Sequence, residues 1–342
     1  VNKVLLNTLY VLSGEGFVRL DNENVRITVQ DEERGKVPLH HLSAIVVTGH
    51  ATVSAGLLAA CAERGIAVTW LDRRDRYIGS MSGPTTGNVL LRLAQYDAYR
   101  DPVRSLAIAR SVLEGKAWNS RNTLLRRRRD VQDEAARGVL EEARRLVDAQ
   151  RAVIGQATTH DALRGHEGQI AKHYFGAFDA AVHGTGFVFE ARSRRPPQNA
   201  YNALLSFVYT LVTADCKAAC EGAGLDPQVG YLHEVRPGRP ALALDLVEEL
   251  RSSFADRLVF TLLNRRQIKL DDFDERPGGA ILLRDAARKV VIAAYQERKK
   301  AEIPHPLLQQ SIPFGLVPHI QARLLARHLR GDLETYTPFI YE

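Results

Sequence analysis

The chain has 342 residues, 45% hydrophobic and 25% charged, with a formal net charge of +6. This balance excludes a disordered or low-complexity protein and fits an ordinary globular chain of two domains. The three cysteines, Cys61, Cys216 and Cys220, lack the number and spacing of a disulfide framework or zinc site; they read as buried thiols of a reducing cytoplasm.

Residues 1–83 read mostly as strand. The apolar stretch Val4–Leu12 is short, is interrupted by Asn7 and runs into a strand pattern, so neither a signal peptide nor a membrane span is expected. Further strands are predicted at Phe17–Leu20, Val25–Gln30, Ala44–Thr48, Ile66–Leu71 and Tyr77–Met81, with helical periodicity over Ser54–Arg64. Ser-Gly-Pro-Thr-Thr-Gly then reads as a linker, placed at 84–90. From residue 91 to 342 the chain is rich in Ala, Leu, Arg and Glu at helical spacing. Helices are expected over 89–99, 102–115, 118–129, 132–154, 159–182, 199–222, 241–251, 255–264, 284–299 and 315–329. Ile-Pro-His-Pro and Ser-Ile-Pro-Phe mark a proline-punctuated loop before the last of these. The expected architecture is α+β: a small amino-terminal β domain, then a larger all-α domain.

Residues 1–92 hold ten Lys/Arg against nine Asp/Glu, so about +5 of the net charge belongs to the second part. A polyanionic partner, if there is one, should lie mainly there. Three residues stand out in that part. Glu167 sits in Arg-Gly-His-Glu-Gly-Gln-Ile, His233 in Gly-Tyr-Leu-His-Glu-Val-Arg-Pro-Gly-Arg-Pro, and Glu248 in Leu-Asp-Leu-Val-Glu-Glu-Leu-Arg. Two carboxylates and an imidazole suit a divalent cation such as Mn²⁺ or Mg²⁺, and on a basic protein such an ion points to phosphodiester chemistry. Read singly, Glu167 is equally an exposed helix glutamate and His233 a structural histidine. Asp245, Glu248 and Glu249, spaced i, i+3 and i+4, are equally a solvated acidic edge.

The combination resembles a known family. Gly-x-Glu-Gly-x-x-Ala-x-x-Tyr, Gly-Tyr-Leu-His, and Gly-Arg-Pro-Ala-Leu-Ala-Leu-Asp-Leu-Val-Glu-Glu-Leu-Arg are similar to motifs of the metal-dependent integrase/endonuclease of CRISPR adaptation modules. That protein is the larger of the two that insert new spacers into a CRISPR array. Val37-Pro-Leu, Gly65-Ile-Ala-Val-Thr-Trp-Leu-Asp, Asn199-Ala-Tyr-Asn-Ala-Leu-Leu-Ser-Phe-Val-Tyr, Leu263-Asn-Arg-Arg-Gln-Ile and Tyr336-Thr-Pro-Phe extend the resemblance over nearly the whole chain.

The resemblance implies that Glu167, His233 and Glu248 are catalytic ligands of Mg²⁺ or Mn²⁺. Asp245 supports them, and Arg251 is a basic residue available to the scissile phosphate. It implies attack of a DNA 3′-hydroxyl on a phosphodiester, or hydrolysis when water attacks instead. It also implies a homodimer joined through the β domains, with double-stranded prespacer DNA, the CRISPR repeat and the module's small protein as partners. Arg192, Arg194 and Arg195 in a proline-limited loop, and Arg236 and Arg239 after His233, are the expected DNA contacts. Arg126–Arg129 reads as a solvated helix face, or alternatively a phosphate-tracking stripe. Tyr174, Tyr201 and Tyr209 read as core, with base stacking as the alternative. His40, His41 and His50 are discounted as a second metal site because adjacent strand residues face opposite ways. Two other functions fit the same residues: a structure-selective repair nuclease using the same ligands, and a non-catalytic DNA-binding scaffold.

Overall fold

The structure, a computed structural model, describes residues 8–11, 16–42, 44–72, 77–83, 89–193 and 196–341. The chain divides into two compact units, Val1–Gly87 and Asn88–Glu342. The expected linker falls mostly outside the described residues, as do Arg194 and Arg195.

The first unit holds strands β1 (Thr8–Val11), β2 (Phe17–Asp21), β3 (Asn24–Val29), β4 (Glu32–Pro38), β5 (Ala44–Thr48) and β6 (Thr52–Val53). Helix α1 (Ala55–Glu63) and strands β7 (Ala67–Leu71) and β8 (Tyr77–Met81) complete it. These form two four-stranded sheets, ordered β1-β5-β7-β8 and β4-β3-β2-β6. β1, β5 and β7 run parallel, and β5 and β7 are near-continuous apolar runs, as strands covered on both faces require. Val18, Val25, Leu39, Ile45, Val47, Leu57, Cys61 and Val68 make a core without solvent exposure. His40 and His41 sit in a 3₁₀ turn, not a strand, with ring centroids 4.2 Å apart. The strand argument applied to them therefore does not hold.

The second unit is mostly helical: α2 (Val89–Arg100), α3 (Pro102–Asp130), α4 (Glu134–Val153), α5 (His160–Gly176), α6 (Phe178–Ala181) and α7 (Ala200–Gly222). It continues with α8 (Ala241–Leu250), α9 (Arg257–Asn264), α10 (Asp285–Lys300) and α11 (Val317–Leu329). It is not all-α. Strands β9 (Phe273–Arg276) and β10 (Ala280–Leu283) form one antiparallel hairpin, and β11 (Glu302–His305) with β12 (Gln310–Pro313) another.

Side chains of Asp101, Asp133, Thr159 and Asn199 cap α3, α4, α5 and α7, each worth about 1 kcal/mol. The two helices expected over 102–129 are one, whereas the single helix expected over 159–182 breaks after Gly176. Helix α7 is long and apolar enough to cross a membrane by composition, but most of its side chains are buried within this unit. Cys216 and Cys220 are buried free thiols on it. Helix α3 packs along α4, α5 and α8, and the candidate residues meet where three of these helices converge.

Candidate functional site

The loop before α8 is pinned from two sides. Buried Gln95 on α2 donates to the carbonyls of Asp226 and Val229, both at 2.9 Å, and its Oε1 accepts from the Asp226 amide. Gly230 then passes so close to α8 that a Cβ there would meet the Ala241 carbonyl carbon at 2.6 Å and Asp245 Oδ2 at 2.8 Å. Only glycine fits that approach.

Asp245, fully buried, collects the loop's amides. Its Oδ2 accepts from Tyr231 N at 2.6 Å and Leu232 N at 3.1 Å, and its Oδ1 accepts from His233 N at 2.9 Å. The same Oδ1 lies 2.8 Å from His233 Nδ1. An Nδ1–H donating there places the imidazole lone pair on Nε2, the arrangement that orients a metal-binding histidine. Nε2 lies 3.6 Å from Glu248 Oε1.

The acidic triplet on α8 is no solvated edge: Asp245, Glu248 and Glu249 are all buried. Burial pushes the Glu248 carboxyl up, but Arg251, Lys116 and His233 more than reverse this and hold it well below the usual carboxylate range. Arg251 donates to Glu248 Oε1 at 2.7 Å, and Lys116 Nζ lies 2.8 Å from Oε2. Lys116 also donates to Glu167 Oε1 across from α5. Thus Glu167, His233, Asp245, Glu248 and Arg251 do come together, with Lys116 in their midst. Among the described residues, no three acidic, histidine or cysteine side chains form a ready-made coordination sphere.

Arg251 opens a π-helical turn, Arg251–Asp256, that joins α8 to α9. The wider turn aims Arg251 back at Glu248 and over the Tyr209 ring at 4.8 Å. It aims Asp256 at Tyr209 and Tyr174, whose hydroxyls donate at 2.5 and 2.9 Å. Tyr174, Tyr201 and Tyr209 are buried and unavailable for stacking on bases.

Arg192 is tied into the helical unit. It donates to Asn202 Oδ1 at 2.7 Å and to Ser206, and lies 5.3 Å from the Tyr209 ring centre. These bonds give it a structural task within the unit. Arg236 is exposed and pairs with Glu234, and Arg239 is half-buried beside the Glu234 carbonyl. In the Arg126–Arg129 run, Arg127 donates to the Ala181 carbonyl and Arg128 pairs with Glu141, while Arg126 and Arg129 face solvent.

Lys116 is the residue that sequence reasoning missed. The buried stripe of α3 runs through Ile108, Val112, Lys116, Asn119 and Thr123. A lysine on such a stripe needs an acidic partner, and that was the available signal.

Fold and cluster together define a class: an α+β protein of two units, whose helical unit gathers carboxylates, a half-buried imidazole and two buried cations in one cluster. Within that class the chain belongs to the Cas1 family, since the model described as CRISPR associated protein Cas1 matches residues 9–297. It is 48% identical, over 99% of both chains, to CRISPR-associated endonuclease Cas1 1 of Moorella thermoacetica. Among solved structures it is similar to a casposase bound to integration product (TM-score 0.83, 20% identity, 98% of this chain and 95% of that one). It is also similar to a chain of a Cas6-RT-Cas1–Cas2 complex (TM-score 0.83, 23% identity, 99% of this chain and 36% of that one).

Proposed function

We propose that the chain is a metal-dependent DNA endonuclease and integrase of CRISPR adaptation, which inserts spacer DNA into the array by 3′-hydroxyl attack on a phosphodiester. The carrying observation is the convergence of Glu167, Glu248 and the Asp245-oriented His233 on one spot where a positive charge already sits. These three residues would hold Mg²⁺ or Mn²⁺. Bound there, the ion would supply Lewis-acid polarisation of a phosphoryl oxygen and activation of the attacking hydroxyl or water.

The chain's own residues supply the rest. Asp245 keeps the His233 lone pair on Nε2, and Arg251 keeps Glu248 ionised despite burial. Arg236 and Arg239, on the loop that carries His233, are assigned to backbone phosphates, contacts that do not read sequence; the exposure of Arg236 supports this. A homodimer joined through the β units, the small adaptation protein as partner and a cytoplasmic setting complete the proposal. A relative of the same fold is part of an assembly with Cas2, and the casposase is seen on an integration product.

The test is Mn²⁺-dependent cleavage of duplex and branched DNA by Glu167→Ala, His233→Ala and Glu248→Ala, with DNA binding measured in parallel. Each variant should lose cleavage and keep binding. Full activity in any of them removes that residue from the ligand set.

A further inference from the structure

The ammonium of Lys116 touches one oxygen from each of two carboxylates on different helices, Glu167 on α5 and Glu248 on α8. Its side chain is 6% exposed. Glu248 Oε2 is shielded from solvent and lies 2.8 Å from the ammonium. We infer that Lys116 is a built-in counter-ion that occupies, in the metal-free chain, the carboxylate oxygens a metal ion takes, and that metal loading displaces it. This inference rests on the metal reading proposed above.

Two facing carboxylates in a poorly solvated gap repel each other, and one positive charge between them offsets that cost. An ammonium has three donors and no lone pair, so it cannot join a coordination sphere and repels the incoming cation. Lysine and metal therefore exclude each other on the same oxygens. The apparent metal affinity falls by the fraction of chains in which the ammonium is seated. Glu248 is 3% exposed and Glu167 is 34% exposed, so the displaced ammonium swings toward solvent on the Glu167 side. Lys116 is on this account a positioning residue, acting through Glu167 and Glu248.

The experiment titrates Mn²⁺ into the full chain without DNA, by calorimetry, comparing wild type with Lys116→Gln, Lys116→Arg and Glu248→Gln. Lys116→Gln should bind Mn²⁺ about tenfold tighter than wild type if the seated state dominates by that ratio. Lys116→Arg, which keeps the cation, should bind no tighter than wild type, and Glu248→Gln should lose the site. In parallel, amine labelling of the wild-type chain followed by peptide mass spectrometry should show Lys116 reacting faster once Mn²⁺ is added. That arm decides the matter where Lys116→Gln fails to fold. Unchanged or weaker Mn²⁺ affinity in folded Lys116→Gln, or labelling indifferent to Mn²⁺, overturns the inference while leaving the metal site intact. Wild type that binds no Mn²⁺ overturns the metal reading and this inference together.

Discussion

Asp256 accepts from Tyr209 and Tyr174 at the far end of the π turn, and burial pushes its carboxyl up to about 6, against the pull of the two hydroxyls and of Arg251. A carboxyl whose pKa is raised on folding stabilises the fold in its protonated form. That stability is complete below the unfolded value of 3.8 and is lost as pH rises toward 6. Across this window wild type should lose on the order of 3 kcal/mol relative to Asp256→Asn. Parallel stability curves of the two proteins between these pH values would contradict the assignment. Asp245→Asn weakens the hold on His233 and should cost about 10–100-fold in Mn²⁺ affinity, as loss of a group orienting a metal ligand does; an unchanged titration would leave Asp245 a loop anchor alone. Glu167, His233, Asp245 and Glu248 stand out in the sequence through short local motifs that resemble those of a family; that they gather in one cluster is visible only in the fold. Lys116 does not stand out, because its role exists only once α3, α5 and α8 meet.

At the scale of elements, the carboxy-terminal tail straps the back of the site. Tyr336 donates to Glu249 Oε1, Phe339 N donates to Glu249 Oε2 at 2.7 Å, and Tyr341 N donates to Asn119 Oδ1 at 2.7 Å. Glu249 adjoins Glu248, and Asn119 lies one turn beyond Lys116, so the strap joins α3 and α8, two of the three helices that carry the cluster. Gly115 makes room for it: a Cβ there would meet Pro338 Cβ at 2.7 Å. Gly115→Ala should therefore lift the strap, and Phe339→Ala should cost about 3–5 kcal/mol. Hydrogen exchange at the Phe339 and Tyr341 amides measures both, and wild-type protection in Gly115→Ala would deny the close approach. Helix α3 is one helix where the sequence predicts two, the first ending at residue 115. Gly115 looks like a break, but tertiary packing overrides propensity there. Strand β4, Glu-Glu-Arg-Gly-Lys-Val-Pro, was missed because a charged edge strand shows no apolar alternation; pairing with β3 makes it. The sequence predicts a proline loop where the structure has the β11–β12 hairpin, and prolines are tolerated in it because each of its strands is an edge.

For the whole molecule, the division into a near-neutral β-rich unit and a basic helical unit was legible from the shift in residue pattern near residue 84. Which arginines face outward was not, since Arg192 and Arg127 are consumed by internal hydrogen bonds that only folding creates. With binding borne by exposed basic side chains, raising salt from about 50 to about 200 mM should weaken DNA affinity by about 10³-fold or more, if six or more phosphates are neutralised. Filter binding measures this, and an affinity indifferent to salt would remove the phosphate contacts from the account. Strand transfer is proposed to occur at the Glu167–His233–Glu248 cluster. The most direct measurement incubates duplex DNA bearing free 3′-hydroxyls with a supercoiled plasmid carrying a CRISPR repeat. It is run with Mg²⁺, Mn²⁺ or EDTA, with the small adaptation protein present and absent. The account predicts metal-dependent joined product from wild type and none from Glu248→Ala; joining that persists in EDTA or in Glu248→Ala would contradict it.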